Sequence, residues 1–288
     1  LGRCVREIRL TGLALEQGRD VAFLGPAGTY THAELKKHFG GAVNAVAQED
    51  IAAIFRSVES RACDYVVAPI ENSVGGSVNE TLDCLADTPL KVCGEIVTAI
   101  HHQLLSKATS LEKIKHVYAH SQAFQQCRQW LQTHLPRAEL IAQSSNAAAA
   151  SRAAQDVDAA AIASREAASL YGLNGLAQNI EDNPHNTTRF VVLGRNQAAA
   201  TGDDRTMVMF SMPNQAGALH GVLGVLAERE ISMSRIESRP LRNGQWDYLF
   251  FVDLLGQTDE DSVKGEVQVI CARAALFKLR GSFPRAVG

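Results

Sequence analysis

Apolar positions along the chain come in short bursts that alternate with stretches of helical spacing. From position 21 the bursts predict strands at 21–24, 43–47, 65–70, 116–119, 139–142, 159–163 and 188–193, with an extended apolar stretch at 92–105. Between them lie helical patterns running up to Phe39 and over 50–61, 77–85, 124–134, 146–155 and 165–171. Ile51, Ile54, Phe55 and Val58 mark one apolar helix face, and Ser77 stands where an N-cap belongs. Strand–helix alternation of this kind predicts an α/β fold with mostly parallel sheets, here long enough for two lobes. Ligands of such folds bind at the carboxyl ends of strands, often between lobes. Residues 1–19 follow helical spacing through Cys4, Ile8, Thr11 and Leu15. A single amphipathic helix does not fold alone.

The pattern changes after a polar, alanine-rich break at 194–204. Thr206, Val208, Phe210 and Met212 alternate as a strand, and Leu219, Val222, Leu223 and Leu226 follow helical spacing. A strand at 231–238 leads to Asn243-Gly244, a hairpin turn signal, and then to the alternating Trp246, Tyr248, Phe250, Val252 and Leu254. A helix at 259–274 and a strand at 276–280 complete a βαββαβ order, the ferredoxin-like pattern. The edge of its long strand pair offers a surface for a second copy of the chain.

Length agrees with this division, since 288 residues exceed one ordinary domain. With 28 Lys and Arg against 31 Asp and Glu the net charge is −3, which gives no electrostatic reason to expect nucleic acid or an anionic membrane. No apolar run approaches a membrane span, and Arg3, Arg6 and Arg9 interrupt any signal-peptide core, so a cytoplasmic protein is expected. The six cysteines form no C-x-x-C pair and no H-E-x-x-H occurs, so no metal is expected.

Candidate chemistry sits in five loops at strand ends. Gly25-Pro26-Ala27-Gly28-Thr29 links a strand to a helix and offers amides to an anion, though a purely structural βα turn reads the same way. Glu71-Asn72-Ser73 ends a strand before Gly75-Gly76 and presents an acid, an amide and a hydroxyl. His120-Ser121-Gln122 opens a helix on which Gln122 and Gln126, four apart, face the same way. Ser144-Ser145-Asn146 is an N-cap cluster whose hydroxyls also suit a ligand. Thr188, Arg189 and Phe190 begin an apolar strand, where Arg189 suits a carboxylate or pairs internally with Glu71 or Asp182.

Taken together, G-P-x-G-T, P-I-E-N-S-x-x-G, H-x-Q-x-x-x-Q and T-R-F, in this order, resemble the prephenate dehydratase family. Gly217-Ala218-Leu219 and Glu237-Ser238-Arg239-Pro240 resemble the two signatures of the ACT regulatory domain attached to it. The resemblance implies a two-lobed, periplasmic-binding-protein-like catalytic domain at 20–196 and a ferredoxin-like ACT domain at 205–283. Residues 1–19 resemble the end of a chorismate mutase domain, as in bifunctional P-proteins, and mutase activity is expected to be absent. It further implies conversion of prephenate to phenylpyruvate without a cofactor. Thr188 is the expected catalytic residue, with Thr29, Glu71, Asn72, Ser73, His120, Gln122, Gln126, Ser145, Arg189 and Phe190 at the substrate. Phenylalanine is the expected inhibitor, held between two ACT domains by Asn214, Gly217, Ala218, Leu219, Glu237, Ser238, Arg239 and Pro240, in a homodimer or dimer of dimers.

Two departures stand out. Ala119-His120-Ser121-Gln122 replaces the usual Ser-His-Pro-Gln, and His220 stands where the family often has valine. The residues leave two other readings open: the same chemistry on arogenate, or a non-catalytic amino-acid-sensing module.

Overall fold

A computed structural model describes residues 18–40, 43–212, 215–240, 248–258 and 261–286. The expected helix over 1–19 lies outside these residues except for Gly18 and Arg19, as do Asn214, the Asn243-Gly244 turn and Trp246.

The first lobe is built from β1 (Asp20–Leu24), α1 (Tyr30–Phe39), β2 (Asn44–Gln48), α2 (Ile51–Glu59), β3 (Tyr65–Asn72), β4 (Gly76–Ser77), α3 (Asn79–Asp87) and β5 (Lys91–Ala99). Helix α2 forms where the pattern places it. Its apolar face is buried, and the Asp50 carboxylate caps it by accepting from the Ala53 amide at 2.6 Å. The chain then crosses to a second lobe of β6 (Gln103–Ser106), β7 (His116–Ala119), α4 (Ser121–Gln126), α5 (Arg128–His134), β8 (Glu139–Ala142), α6 (Asn146–Ala153), β9 (Ala159–Ala163), α7 (Arg165–Tyr171) and β10 (Asn174–Ala177). It returns as β11 (Thr187–Gly194), which lies antiparallel between β3 and β5. The sheet orders are β2-β1-β3-β11-β5, with β4 beside β3, and β10-β6-β9-β7-β8. Two crossings, 100–102 and 178–186, therefore join the lobes, and β11 belongs to the first although the whole second lobe precedes it. In the second lobe all five residues of β9 are buried, and Ala159, Ala161 and Ala163 pack with the buried Ala149, Ala150 and Ala153 of α6 while Ala160 and Ile162 face the other way. Small side chains let the helix lie close on its sheet.

Three local expectations change. The helix expected at 124–134 starts at Ser121 and is interrupted at Cys127. The helix expected from Ser77 begins at Asn79, with Val78 at the N-cap and no side-chain cap, because Ser77 is held in the short pairing of β4 with β3. Strand β10 has no burst of its own in the pattern: it is four residues long, contains Gly175 and carries a register shift against β6.

The C-terminal unit comprises β12 (Asp204–Met212), α8 (Ala218–Glu228), β13 (Met233–Pro240), β14 (Tyr248–Leu255), α9 (Asp261–Arg273) and β15 (Leu276–Pro284), in an antiparallel sheet of order β13-β14-β12-β15. One sheet face packs Val208, Phe210, Val252 and Leu254 with Val222, Leu226 and Ile270 of the two helices. The other face sends Met207, Met209, Leu249, Phe251 and Phe283 into the same apolar cluster as Leu82, Leu85, Leu90 and Val92 of the first lobe. The polar break at 194–204 thus separates two units of sequence while one core runs across them. At Gly281 the two backbones lie so near that a Cβ would overlap the Val92 carbonyl oxygen. Among the described residues no helix is long and apolar enough to cross a membrane.

Candidate active site between the lobes

The strand ends of both lobes open onto one cavity of about 820 Å³. Register explains which candidates reach it. Thr188 lies opposite Asn72 and Arg189 opposite Glu71 across β11 and β3. Successive side chains on a strand point to opposite faces, so Asn72 and Thr188 line the cavity while Glu71 and Arg189 turn away from it. Thr29, His120, Gln122, Gln126, Ser145 and Phe190 also line it.

At its floor the Asn72 amide is oriented by two backbone donors. Its Oδ1 accepts from the Val74 amide at 3.1 Å and the Gly75 amide at 2.7 Å. Nδ2 therefore faces β11 and donates to Thr188 Oγ1 at 2.9 Å, with Asn186 Oδ1 at 2.8 Å and the Thr187 carbonyl at 3.1 Å around it. The Thr188 oxygen is thereby an acceptor from Asn72, and its own proton is left to donate elsewhere.

Capped helix starts surround this floor. Thr29 Oγ1 accepts from the His32 amide at 3.3 Å at the start of α1, and Ser145 Oγ from the Ala148 amide at 3.0 Å at the start of α6. His120 Nδ1 accepts from the Gln122 amide at 3.3 Å. The lobes also touch at the rim. Tyr171 donates to the Ala27 carbonyl at 2.8 Å and Ser164 to that of Gly28 at 3.1 Å. A Cβ at Gly75 would press on Gln122 Nε2, so a side chain there would displace that amide.

No lysine or arginine lines the cavity among the described residues, and Glu49 is its one carboxylate. His102 also lines it. Burial lowers the pKa of this imidazole and keeps it neutral, and burial raises that of the Tyr30 hydroxyl beside it. Neither residue is among the site residues expected from the sequence, although Tyr30 directly follows the Gly25–Thr29 loop. What the sequence does not display is the pairing, because Tyr30 and His102 are 72 residues apart.

Three expected substrate residues sit elsewhere. Arg189 is buried and ion-paired with Glu95 at 2.7 Å and with Asp253 of β14, not with Glu71 or Asp182. A guanidinium committed to two buried carboxylates on the far face of the sheet does not reach a ligand in the cleft. Asp182 instead accepts from the backbone amides of Gln129 and Trp130. Glu71 lies 3.4 Å from Arg235 of β13. Ser73 ties two loops together, accepting from the Thr187 amide at 2.9 Å and donating to the His185 carbonyl at 3.3 Å.

The candidate phenylalanine residues divide between two places. Gly217, with φ of 80°, caps α8, which Ala218 and Leu219 begin. On β13, Glu237 accepts from Ser77 Oγ at 2.7 Å and Arg239 pairs with Asp83 at 2.7 Å, so both hold the first lobe. Ser238 and Pro240 pair in register with Phe250 and Tyr248. Among the described residues no cluster of His, Cys, Asp or Glu has the arrangement of a metal site.

The family model for prephenate dehydratase matches residues 21–198, and that for the ACT domain matches 206–272. A bifunctional chorismate mutase/prephenate dehydratase of Neisseria gonorrhoeae is 46% identical over 290 residues, covering 100% of this chain and 80% of that protein. A solved prephenate dehydratase of Arthrobacter aurescens, in complex with L-Phe, superposes with a TM-score of 0.86 at 34% identity over 93% of this chain and 90% of that one. A solved quorum quenching acylase, GqqA, superposes with a TM-score of 0.85 at 26% identity over 93% and 98%. By the family match over most of its length and the identity to this relative, the chain belongs to the prephenate dehydratase family and carries an ACT domain.

Proposed function

We propose that the cleft converts prephenate to phenylpyruvate, carbon dioxide and water, and that phenylalanine regulates this reaction through the C-terminal ACT unit. The catalytic domain is assigned to 20–196 and the regulatory domain to 205–283. The observation that carries the reading is the Asn72–Thr188 pair, in which an amide locked by two backbone donors occupies the oxygen of a hydroxyl aimed at the cavity.

In this reaction the ring carboxylate leaves as carbon dioxide. Its bonding electrons move into the ring, and the ring hydroxyl departs from the opposite carbon as the ring becomes aromatic, taking up a proton from solvent to become water. Aromatisation drives the step, so the protein has to orient two carboxylates and assist the departing oxygen. Thr188 donates its hydrogen bond to that oxygen as negative charge develops there. Asn72 strengthens the donor by polarising it, since hydrogen bonds in a chain reinforce one another. Gln122, Gln126 and Ser145 supply neutral donors, Thr29 donates to the Leu24 carbonyl at 3.3 Å and caps α1, and the starts of α1 and α6 supply the favourable ends of two helix dipoles for the carboxylates. A cleft with no lysine or arginine among the described residues suits the chemistry. A cation fixed on the ring carboxylate would stabilise the ground state, whose charge disperses in the transition state. The acylase activity of the 26% identical neighbour is not carried over, since the 46% identical relative is named for the dehydratase.

Support for regulation lies in the shared core and in β13, whose Arg235, Glu237 and Arg239 contact Glu71, Ser77 and Asp83 around β3, β4 and α3. Ser77 itself lines the cavity. Two copies pairing through their ACT sheets belong to the same reading. Purified protein incubated with prephenate or with arogenate, with and without phenylalanine, tests it. Phenylpyruvate is expected from prephenate at a rate that phenylalanine lowers. An absence of product, or a rate indifferent to saturating phenylalanine, contradicts the corresponding half.

A further inference from the structure

The geometry points to His102 as a positioning residue that fixes which end of the Gln126 amide faces the cleft. His102 lies at the first crossing between the lobes and is 2% exposed. Its backbone is tied on both sides, the amide donating to Glu181 Oε2 at 2.8 Å and the carbonyl accepting from the Ile180 amide at 3.0 Å. Its ring bridges the lobes. Nε2 is 2.7 Å from Gln126 Oε1 on α4 of the second lobe, and Nδ1 is 2.8 Å from the hydroxyl of Tyr30 on α1 of the first.

With the Gln126 amide in this orientation, proton accounting sets the polarity of the chain. The amide oxygen of Gln126 only accepts, so the imidazole carries its proton on Nε2. A buried neutral imidazole has one such proton, and Nδ1 is then an acceptor for the Tyr30 hydroxyl. That hydroxyl also lies 3.1 Å from the His101 carbonyl, a longer contact competing for its single proton. With Oε1 engaged, Gln126 turns its NH₂ group toward the cavity it lines. The amide then presents donors, which suit a carboxylate or a departing hydroxyl. The flipped amide would present a lone pair that repels both. His102 touches no reacting atom in this role. It acts through Gln126, and Tyr30 acts through His102.

This inference rests on the dehydratase reading, so its test has one arm free of turnover. Nitrogen-15 NMR of the histidine-labelled protein is expected to show His102 as the neutral Nε2–H tautomer, and Tyr30→Phe to introduce the Nδ1–H form. A dominant Nδ1–H tautomer in the unaltered protein overturns the inference whatever the activity. In the kinetic arm, His102→Leu is expected to lower kcat/KM for prephenate by about 10- to 100-fold, the range for one hydrogen bond to a charged group. His102→Gln, which keeps a donor near the Nε2 position, restores most of that loss. In a Gln126→Leu background His102→Leu costs less than about twofold more, because the group it positions is gone. Full additivity of the two substitutions, or no rescue by glutamine, overturns the inference. Should His102→Leu fail to fold, Tyr30→Phe carries both arms, with a severalfold fall in kcat/KM that is absent in the Gln126→Leu background.

Discussion

Asn72 acts as an orienting group because its carbonyl has two fixed partners, the Val74 and Gly75 amides, and its amide nitrogen has the remaining direction. Aspartate at this position keeps those two contacts and the size of the side chain, but removes the donor to Thr188 and adds charge beside an anionic substrate. Asn72→Asp is expected to lower kcat by about 10²-fold or more, readable by steady-state kinetics. Much of this residue scale is legible in the sequence. An amide and a hydroxyl at the ends of two apolar bursts are visible as candidates, and strand alternation gives each its face. Arg189 is legible as important and not as to role. Its partners Glu95 and Asp253 lie 94 and 64 residues away, and only the docking of the C-terminal sheet brings the second to it.

Elements with one clear amphipathic face form where the pattern puts them, as α2 does with its Asp50 cap. Where the deciding partner is distant, the pattern falls short. Ser77 has the chemistry of an N-cap, yet it pairs with β3 and is held by Arg235 and Glu237, some 160 residues on. The break at 194–204 reads as a boundary because it is polar, but the sheet that follows is apolar on both faces and shares its inner face with the first lobe. Contact between β5 and β15 is the sharpest case. At Gly281, φ of 150° and a backbone carbonyl that any Cβ would overlap leave no room for a side chain. Gly281→Ala is expected to destabilise the protein by about 2–3 kcal/mol, since a backbone neighbour cannot swing aside as a side chain could. Urea unfolding measures this, and an unchanged midpoint would show that the two strands separate freely.

Across the whole molecule the catalytic strand and the regulatory sheet meet in a buried group of charges. Arg189 and Arg205 share Glu95, and Arg189 also holds Asp253, whose side chain is 0% exposed. Two cations and two anions balance, so removing one leaves its partners buried and uncompensated. Asp253→Asn is expected to cost about 3–5 kcal/mol by denaturant unfolding and, because Arg189 adjoins Thr188, to lower dehydratase activity as well. A variant as stable as the parent would contradict the coupling of the two units through this cluster. Turnover itself depends on the Thr188 hydroxyl at the cleft floor. Following phenylpyruvate formation from prephenate by absorbance tests it most directly, in the parent chain, in Thr188→Ser and in Thr188→Val. Serine, which keeps the hydroxyl, is expected to retain activity within about tenfold, and valine, which keeps only the shape, to lose about 10²- to 10⁴-fold in kcat. A valine variant that turns over prephenate at the parent rate would contradict the account.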